Sequence, residues 1–458
     1  MTPKRAYFIL AISLVAVLSA GCTTPTAVPS ELNVSATSTP LPPAGPSPAP
    51  ASAETEPVCP PLSSDILRQI QDIERQVTEL RGISLQYPVA SRLVSTDEMR
   101  EQIQANLHEK YPLRAAEDEI LVLRLLGVVD ESFDPAAFYL SFYTEQLAGE
   151  YDHEGASILL LCGSGFGGPE RLTYAHAFTQ ALQDQNFDFE AGLGYTQASC
   201  AEEAERCAAT EALIEGDAAL LQSQWLRIFA SSQDTEELAA FLNGFDSPVF
   251  DQAPLFIRSN VLFPYVEGLS FVLDAYLAGG WAGVDAIYAE PPLSTEQILH
   301  FERYPEDEPV SLLEPDLVPI LGDGWRTVSV QSLGEFQLQL LLDTFLSEMD
   351  SSIAAEGWGG DLFLAYTHDD RYLSAGVLLT QWDTIADAHE FYYALKEYGQ
   401  LRFGEETRAE AGSTQWVSDE GYVLIRLVSN QILLLIAPDA ESLTALDAAL
   451  ALPWGHEQ

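Results

Sequence analysis

The residues with the most chemical promise lie in one run, Glu170-Arg171-Leu172-Thr173-Tyr174-Ala175-His176-Ala177-Phe178-Thr179-Gln180-Ala181-Leu182-Gln183-Asp184-Gln185-Asn186-Phe187-Asp188. Pro169 and Glu170 open it as a helix, at a favoured place for proline. His176 and Gln180 are four residues apart, so one helical face carries an imidazole and an amide. An imidazole is a general base near neutral pH and a common metal ligand. Among Leu172, Ala175 and Leu182 alone it reads as a hydrogen-bonded core residue, so any chemistry depends on partners from elsewhere. His153, His300, His368 and His389 are too scattered to assign as such partners, although His153 is the nearest by position. No serine–histidine or cysteine–histidine arrangement has supporting context. No Cys-x-x-Cys pair exists to build a thiolate zinc site.

This run resembles the active-site helix of bacterial extracytoplasmic gluzincin-type zinc metallopeptidase-like proteins. In that motif two histidines at i and i+4 bind one Zn²⁺, and a glutamate after the first histidine handles the proton of the metal-bound water. His176 keeps the first histidine position, Ala177 replaces the glutamate and Gln180 replaces the second histidine. Alanine can neither accept nor donate a proton, and glutamine is not among the usual zinc ligands. A second run, Glu211-Ala212-Leu213-Ile214-Glu215-Gly216-Asp217-Ala218, resembles the family's glutamate-bearing helix. The resemblance implies Glu215 at a metal-ligand position and Asp217 as its outer partner. Residues 150–155 before the helix, 263–268, 279–300, 357–361 and 382–384 also look like this family, so the likeness covers most of the chain from Ser63. It implies a metallopeptidase fold with a vestigial metal site (His176, Glu215) and no catalytic residues. No cofactor is expected, and zinc only if the site is completed.

These runs need elements to position them. Ile66, Ile70, Ile73, Val77 and Leu80 recur at spacings of three and four, which predicts an amphipathic helix capped near Ser63 or Ser64 and stopped by Gly82. Ser95 with Glu98 forms a capping-box signature before Met99, Ile103 and Leu107. Further helices are expected over 115–126, 135–147, 170–186, 204–229, 235–242 and 265–277, with one strand at 156–162. Beyond a loop-like stretch at 305–314 the pattern changes. Strands are expected at 363–367, 373–381, 415–417, 422–428 and 432–437, and helices at 336–354, 385–398 and 441–449. Gly279-Gly280 and Gly359-Gly360 read as turns. The fold expected is α+β: a mainly helical, zincin-like domain with a short strand region over 62–312, then a small antiparallel α+β domain over 313–458.

The N-terminus supplies a different device. Lys4 and Arg5 precede a 15-residue apolar run, Ala6 to Ala20, too short to span a bilayer as a mature helix. Leu18-Ser19-Ala20-Gly21-Cys22 follows, and it resembles the lipobox of bacterial lipoproteins. It implies a signal peptide at 1–21 and lipid on Cys22, with an ordinary secretory signal cut near Ala20 as the alternative. Residues 22–61 form a Pro/Ser/Thr-rich linker, holding 11 of the 27 prolines, and act as an extended spacer. In an exported chain the remaining Cys59, Cys162, Cys200 and Cys207 are compatible with two disulfides. Cys200 and Cys207 could close a small loop and leave Cys59 for Cys162; four thiols are the alternative.

Charge limits the partners. The 458 residues carry 69 acidic against 21 basic groups, net −48, with 47% hydrophobic residues. That much apolar sequence builds a core, so global disorder is excluded. The cations are too few for a phosphate-binding stripe, which excludes nucleic acid. Anionic headgroups repel such a surface, so attachment to a membrane needs the lipid. The expectation is a lipid-anchored protein on the extracytoplasmic face of the membrane. Its domain binds a peptide or an envelope protein, or is structural; a peptidase with a rebuilt zinc site and a solute- or peptide-binding sensor are the alternatives.

Overall fold

The computed structural model describes residues 59–450 apart from 111–112, 131, 146–148, 154, 164 and 372, with backbone alone over 106–110 and 113–116. The signal segment 1–21, the lipid site Cys22 and nearly all of the 22–61 linker lie outside the described residues.

Local signals set the first elements. The Ser63 side chain accepts the N–H of Ile66 and Gly82 closes the helix at φ 79°, which bounds α1 (Ser64–Arg81). The stripe of Ile70, Ile73 and Val77 is buried. After β1 (Ala90–Val94), Ser95 accepts from the Glu98 N–H at the start of α2 (Thr96–Lys110). Then come α3 (Leu113–Leu125), α4 (Pro135–Glu145), β2 (Gly149–Asp152) and β3 (Ser157–Leu161). These strands form a sheet in the order β1-β3-β2, with β1 parallel and β2 antiparallel to β3. Only β3 is legible in the sequence. β1 and β2 are short, partly exposed edges without an apolar run, and pairing with β3 makes them strands.

The helical body follows: α5 (Gly168–Phe187), α6 (Gln197–Glu202), α7 (Ala204–Phe229), α8 (Ser232–Gly244), α9 (Pro248–Gln252), α10 (Leu255–Ala289) and α11 (Thr295–Leu299). By length and composition α10 could cross a membrane; here it packs along α7. Glycines permit that contact: a Cβ on Gly216 would lie 2.1 Å from the Gly268 carbonyl oxygen, and one on Gly268 would lie 2.2 Å from that of Ala212. The expected helix 265–277 is the middle of this longer element. The expected turn at Gly279-Gly280 is a kink inside it, at Gly280 with φ 62°.

The C-terminal region contains α12 (Val318–Leu321), β4 (Trp325–Gln331), α13 (Gly334–Asp343), α14 (Glu348–Ala355), β5 (Trp358–His368), β6 (Ser374–Trp382), α15 (Ile385–Phe403), β7 (Arg408–Glu410), β8 (Ser413–Ser418), β9 (Gly421–Val428), β10 (Gln431–Ala437) and α16 (Ala440–Ala449). The expected helix 336–354 is two helices, because Ser347 accepts from the Asp350 N–H and starts α14 afresh. Seven strands form a sheet in the order β4-β5-β6-β10-β9-β8-β7, antiparallel at every step. Alternation along β5 sends Phe363 and Ala365 to one face and Leu364 and Tyr366 to the other. The first face shares one core with the helical body, reaching Val122, Leu213 and Val272. The second is covered by Leu443 and Leu446 of α16. The fold is α+β, a mainly helical N-terminal part joined to an antiparallel sheet. Its core runs across the expected 312/313 boundary.

Candidate functional site

Side-chain amides fix α5 against α7. Gln183 Nε2 donates to the Ile214 carbonyl at 3.1 Å and Gln222 Nε2 donates to that of Leu172 at 3.2 Å. Both glutamines are fully buried, so the two helices keep one register. At the start of α5, Arg171 pairs with Asp234 of α8 at 2.6 Å.

Between the two clamps, three sequence-predicted positions converge. His176 Nε2 lies 3.0 Å from Glu215 Oε2, and Gln180 Nε2 donates to Glu215 Oε1 at 3.0 Å. One carboxylate thus takes both polar side chains that face it. Nδ1 of His176 is buried and meets no hydrogen-bond partner among the described residues. Ala177 points elsewhere. It is 2% exposed and belongs to the apolar cluster of Ile70, Ile73, Val77 and Phe178.

Asp217 corrects an expectation. It is fully buried and has no contact with His176 or Glu215 among the described hydrogen bonds. It accepts instead from Arg81 Nε and Nη2, both at 3.0 Å, and from the Tyr288 hydroxyl at 2.9 Å. Residues two apart on a helix point about 200° from one another, so Glu215 and Asp217 cannot serve one site. Arg81 further reaches Asp285 at 2.6 Å and lies 4.6 Å from the Trp281 ring centroid.

Two tyrosines face the Glu215 side of α7. Glu211, one turn before Glu215, acts with burial and Glu215 to hold the Tyr195 hydroxyl well above its ordinary range. Glu215 acts first, then burial and Glu211, to do the same for Tyr265 of α10. Both phenols therefore stay protonated and can donate. Sequence reading missed them, and the one available signal was Tyr265 beside the Gly268 crossing.

The donor set does not fit zinc. Zinc requires three or four N, S or carboxylate ligands at about 2.0–2.3 Å. Here His176 and Glu215 meet, the third neighbour is an amide already donating to Glu215, and no three ligand atoms converge at this point among the described residues. His153 is exposed after β2, His300 Nε2 is 2.8 Å from Glu335, His368 Nδ1 accepts from the Asp370 N–H and the His389 ring lies beside Tyr393. None of them supplies a ligand at Glu215 among the described contacts. Glu296, Asp307 and Asp383 do form a three-carboxylate group elsewhere, but Arg303 extends its guanidinium to all three.

The four cysteines pair as Cys59–Cys162 and Cys200–Cys207, with Cα separations of 5.9 and 5.1 Å. Two disulfides fit an oxidising, extracytoplasmic compartment.

Residues 326–447 match the model of a domain of unknown function, DUF8575, which spans the seven-stranded sheet from β4 to α16. No curated protein matches the chain. The chain is similar to a solved structure from Chloroflexus aurantiacus, described as an inferred hydrolase with a novel fold, at 15% identity and a TM-score of 0.33. That likeness covers 53% of this chain and 90% of the other.

Proposed function

We propose that the chain is an extracytoplasmic lipoprotein, held by lipid on Cys22, whose metallopeptidase-like domain has lost its chemistry. Its cleft now binds a peptide or another envelope protein. The observation that carries this reading is the closure of Glu215 on this chain's own groups. His176 and Gln180 take both carboxylate oxygens, and a buried methyl stands at position 177, where the resembling motif needs a proton carrier. A general base alone is worth about 10²–10⁴ in rate. The neutral hydroxyls of Tyr195 and Tyr265 beside this closed pair are donors suited to recognition. The two disulfides support export, and the lipobox-like 18–22 run supports the anchor.

The test is metal analysis of the purified full-length chain together with a peptidase assay. The expected result is substoichiometric zinc and no chelator-sensitive cleavage. Near-stoichiometric zinc with activity abolished by chelator would overturn the proposal in favour of a rebuilt active site.

A further inference from the structure

The Glu215 side of α7 gathers more than His176 and Gln180. Cys207, Glu211 and Glu215 follow at four-residue steps, so they share one face of the helix, with the two carboxylates about 6 Å apart along it. Three tyrosines from other parts of the chain meet that face. The Cys200–Cys207 bridge and the bond from the Tyr195 N–H to the Phe189 carbonyl, at 2.7 Å, hold Tyr195 beside it. The close crossing at Gly216 and Gly268 brings Tyr265 alongside. Tyr143 of α4 arrives with Tyr139, the two ring centroids 6.2 Å apart. Glu211 acts on all three hydroxyls, and Glu215 on those of Tyr195 and Tyr265.

These groups are open to solvent, and part of their hydrogen-bonding capacity is unfilled. Tyr143 is 44% exposed, and Glu211, Glu215, Tyr195 and Tyr265 are each partly exposed. Among the described residues no hydrogen bond ends on any of the three hydroxyls. A carboxylate has about four lone-pair positions, and His176 and Gln180 occupy one on each oxygen of Glu215. The remaining positions, with the three phenol oxygens, can still accept.

Chemistry narrows the ligand. An anion would meet Glu211, Glu215 and also Glu150, which acts on Tyr143 from β2. A bare divalent ion needs several ligand atoms at one point, and no such set includes Glu211, Glu215 or His176 among the described residues. Carboxylates spread along a helix face and accompanied by aromatic rings suit a larger, organic cation. Its N–H groups donate to the open carboxylate positions and the phenol oxygens, and its charge is attracted to the ring faces. We propose that this face of α7 takes the basic side chain of a peptide, an ammonium or a guanidinium, between Glu211 and Glu215 and against the rings of Tyr143, Tyr195 and Tyr265. The inference rests on the reading above that the site binds a peptide, and it names the side chain that the site selects.

The test is titration of the full-length chain, at about 0.15 M salt, with a fluorescent, end-blocked Gly-Gly-Lys-Gly-Gly peptide and with the same peptide carrying ε-acetyl-lysine. Acetylation removes the charge and is expected to weaken binding by about tenfold or more. Glu211→Gln and Tyr195→Leu are expected to weaken the lysine peptide by about tenfold and about threefold. Glu356→Gln with Glu390→Gln, at exposed carboxylates on the C-terminal region, is expected to leave it unchanged and so controls for diffuse attraction to a chain of charge −48. No saturable binding of the lysine peptide, equal affinity for the two peptides, parental affinity in Glu211→Gln or Tyr195→Leu, or an equal loss in the control pair would each overturn the proposal. Equal binding of both peptides without zinc or cleavage would leave peptide binding standing and remove only the selection for a basic side chain. Stoichiometric zinc with chelator-sensitive cleavage would instead overturn the reading on which it rests.

Discussion

Glu215 and Asp217 stand two residues apart on α7 and serve opposite sides of it. Glu215 takes His176 and Gln180 from α5; Asp217 takes Arg81 from α1 and Tyr288 from α10. The helix is thereby held from both flanks by carboxylates. The first is partly exposed, at 14% of its side chain, whereas the second is fully buried and its partner Arg81 is covered by Trp281 and Phe187. Position and stability are therefore separable on neighbouring residues.

Asp217→Ala is expected to destabilise the protein by about 3–5 kcal/mol, because it leaves the fully buried Arg81 short of its bidentate partner. Asp285 keeps one contact with Arg81 and limits the loss. Glu215→Ala, at a half-buried position, is expected to lose about 1–2 kcal/mol. Urea denaturation of both variants checks the order; equal losses would remove the distinction.

Gln180→His is expected to create zinc affinity where the parent has little. Position 180 already faces Glu215 at hydrogen-bond distance, and an imidazole there completes a set of two histidines and one carboxylate. Adding Ala177→Glu is expected to lower stability, since it places a carboxyl in an apolar cluster beside Ile73 and Phe178. Metal titration followed by thermal melting separates the two effects. A single variant that melts at the same temperature with and without zinc would show that the helix face does not present the pair together.

The periodic elements were legible in the sequence. The α1 stripe, the limits of α7 and strands β6, β9 and β10 follow from apolar spacing alone, as does the antiparallel character of the second half. Meeting of His176, Gln180 and Glu215 was legible only through motif resemblance, since 35 residues separate Gln180 from Glu215. Hidden from the sequence were β1, β2 and β4, whose strand character comes from a partner. The role of Asp217 was hidden for a related reason. Its partner Arg81 lies 136 residues away, and a charged residue at a helix end looks like a solvated cap until packing buries it.

Stability is expected to fall as pH rises from neutral. At the junction of α11, α13 and β5, burial pushes Glu205 up to about 8, and burial with Glu335 pushes Glu296 up to about 9 against the pull of Arg303. Burial also raises Glu335 and Asp361. Each folded-state value lies above the ordinary 4.5 or 3.8, so the folded protein binds more protons than the unfolded chain. The stabilisation is complete below about pH 4 and fades as pH climbs through 8–9. Melting temperature measured from pH 6 to 9.5 checks the slope. Glu205→Gln is expected to flatten it, and a parent curve that rises over this range would sink the account.

The two disulfides are expected to differ in worth. Cys59–Cys162 spans 103 residues and Cys200–Cys207 spans seven. By loop-closure entropy the longer loop contributes about 4–5 kcal/mol and the shorter about 2–2.5 kcal/mol. The longer bridge also ties the segment before α1 to the end of β3. Paired Cys→Ser variants compared by denaturant midpoint test the ranking.

Gly216→Ala sets two effects of opposite sign against each other. In a helix interior alanine is favoured over glycine by about 1 kcal/mol, so propensity alone predicts a more stable protein. The added methyl, however, would meet the Gly268 carbonyl oxygen at 2.1 Å, and backbone cannot move aside as a flexible side chain can. Separating α7 from α10 would shift Glu215 away from Tyr265 and disturb its bonds to His176 and Gln180. Overpacking of this kind costs about 1–3 kcal/mol, and here it falls on backbone, so the steric term is expected to win. Thermal melting of the variant should show a clear loss. Gly244→Ala at the exposed end of α8, where nothing lies within 4 Å of the added carbon, should be neutral or mildly stabilising. A Gly216→Ala variant as stable as that control would mean that the α7–α10 crossing does not need glycine at 216.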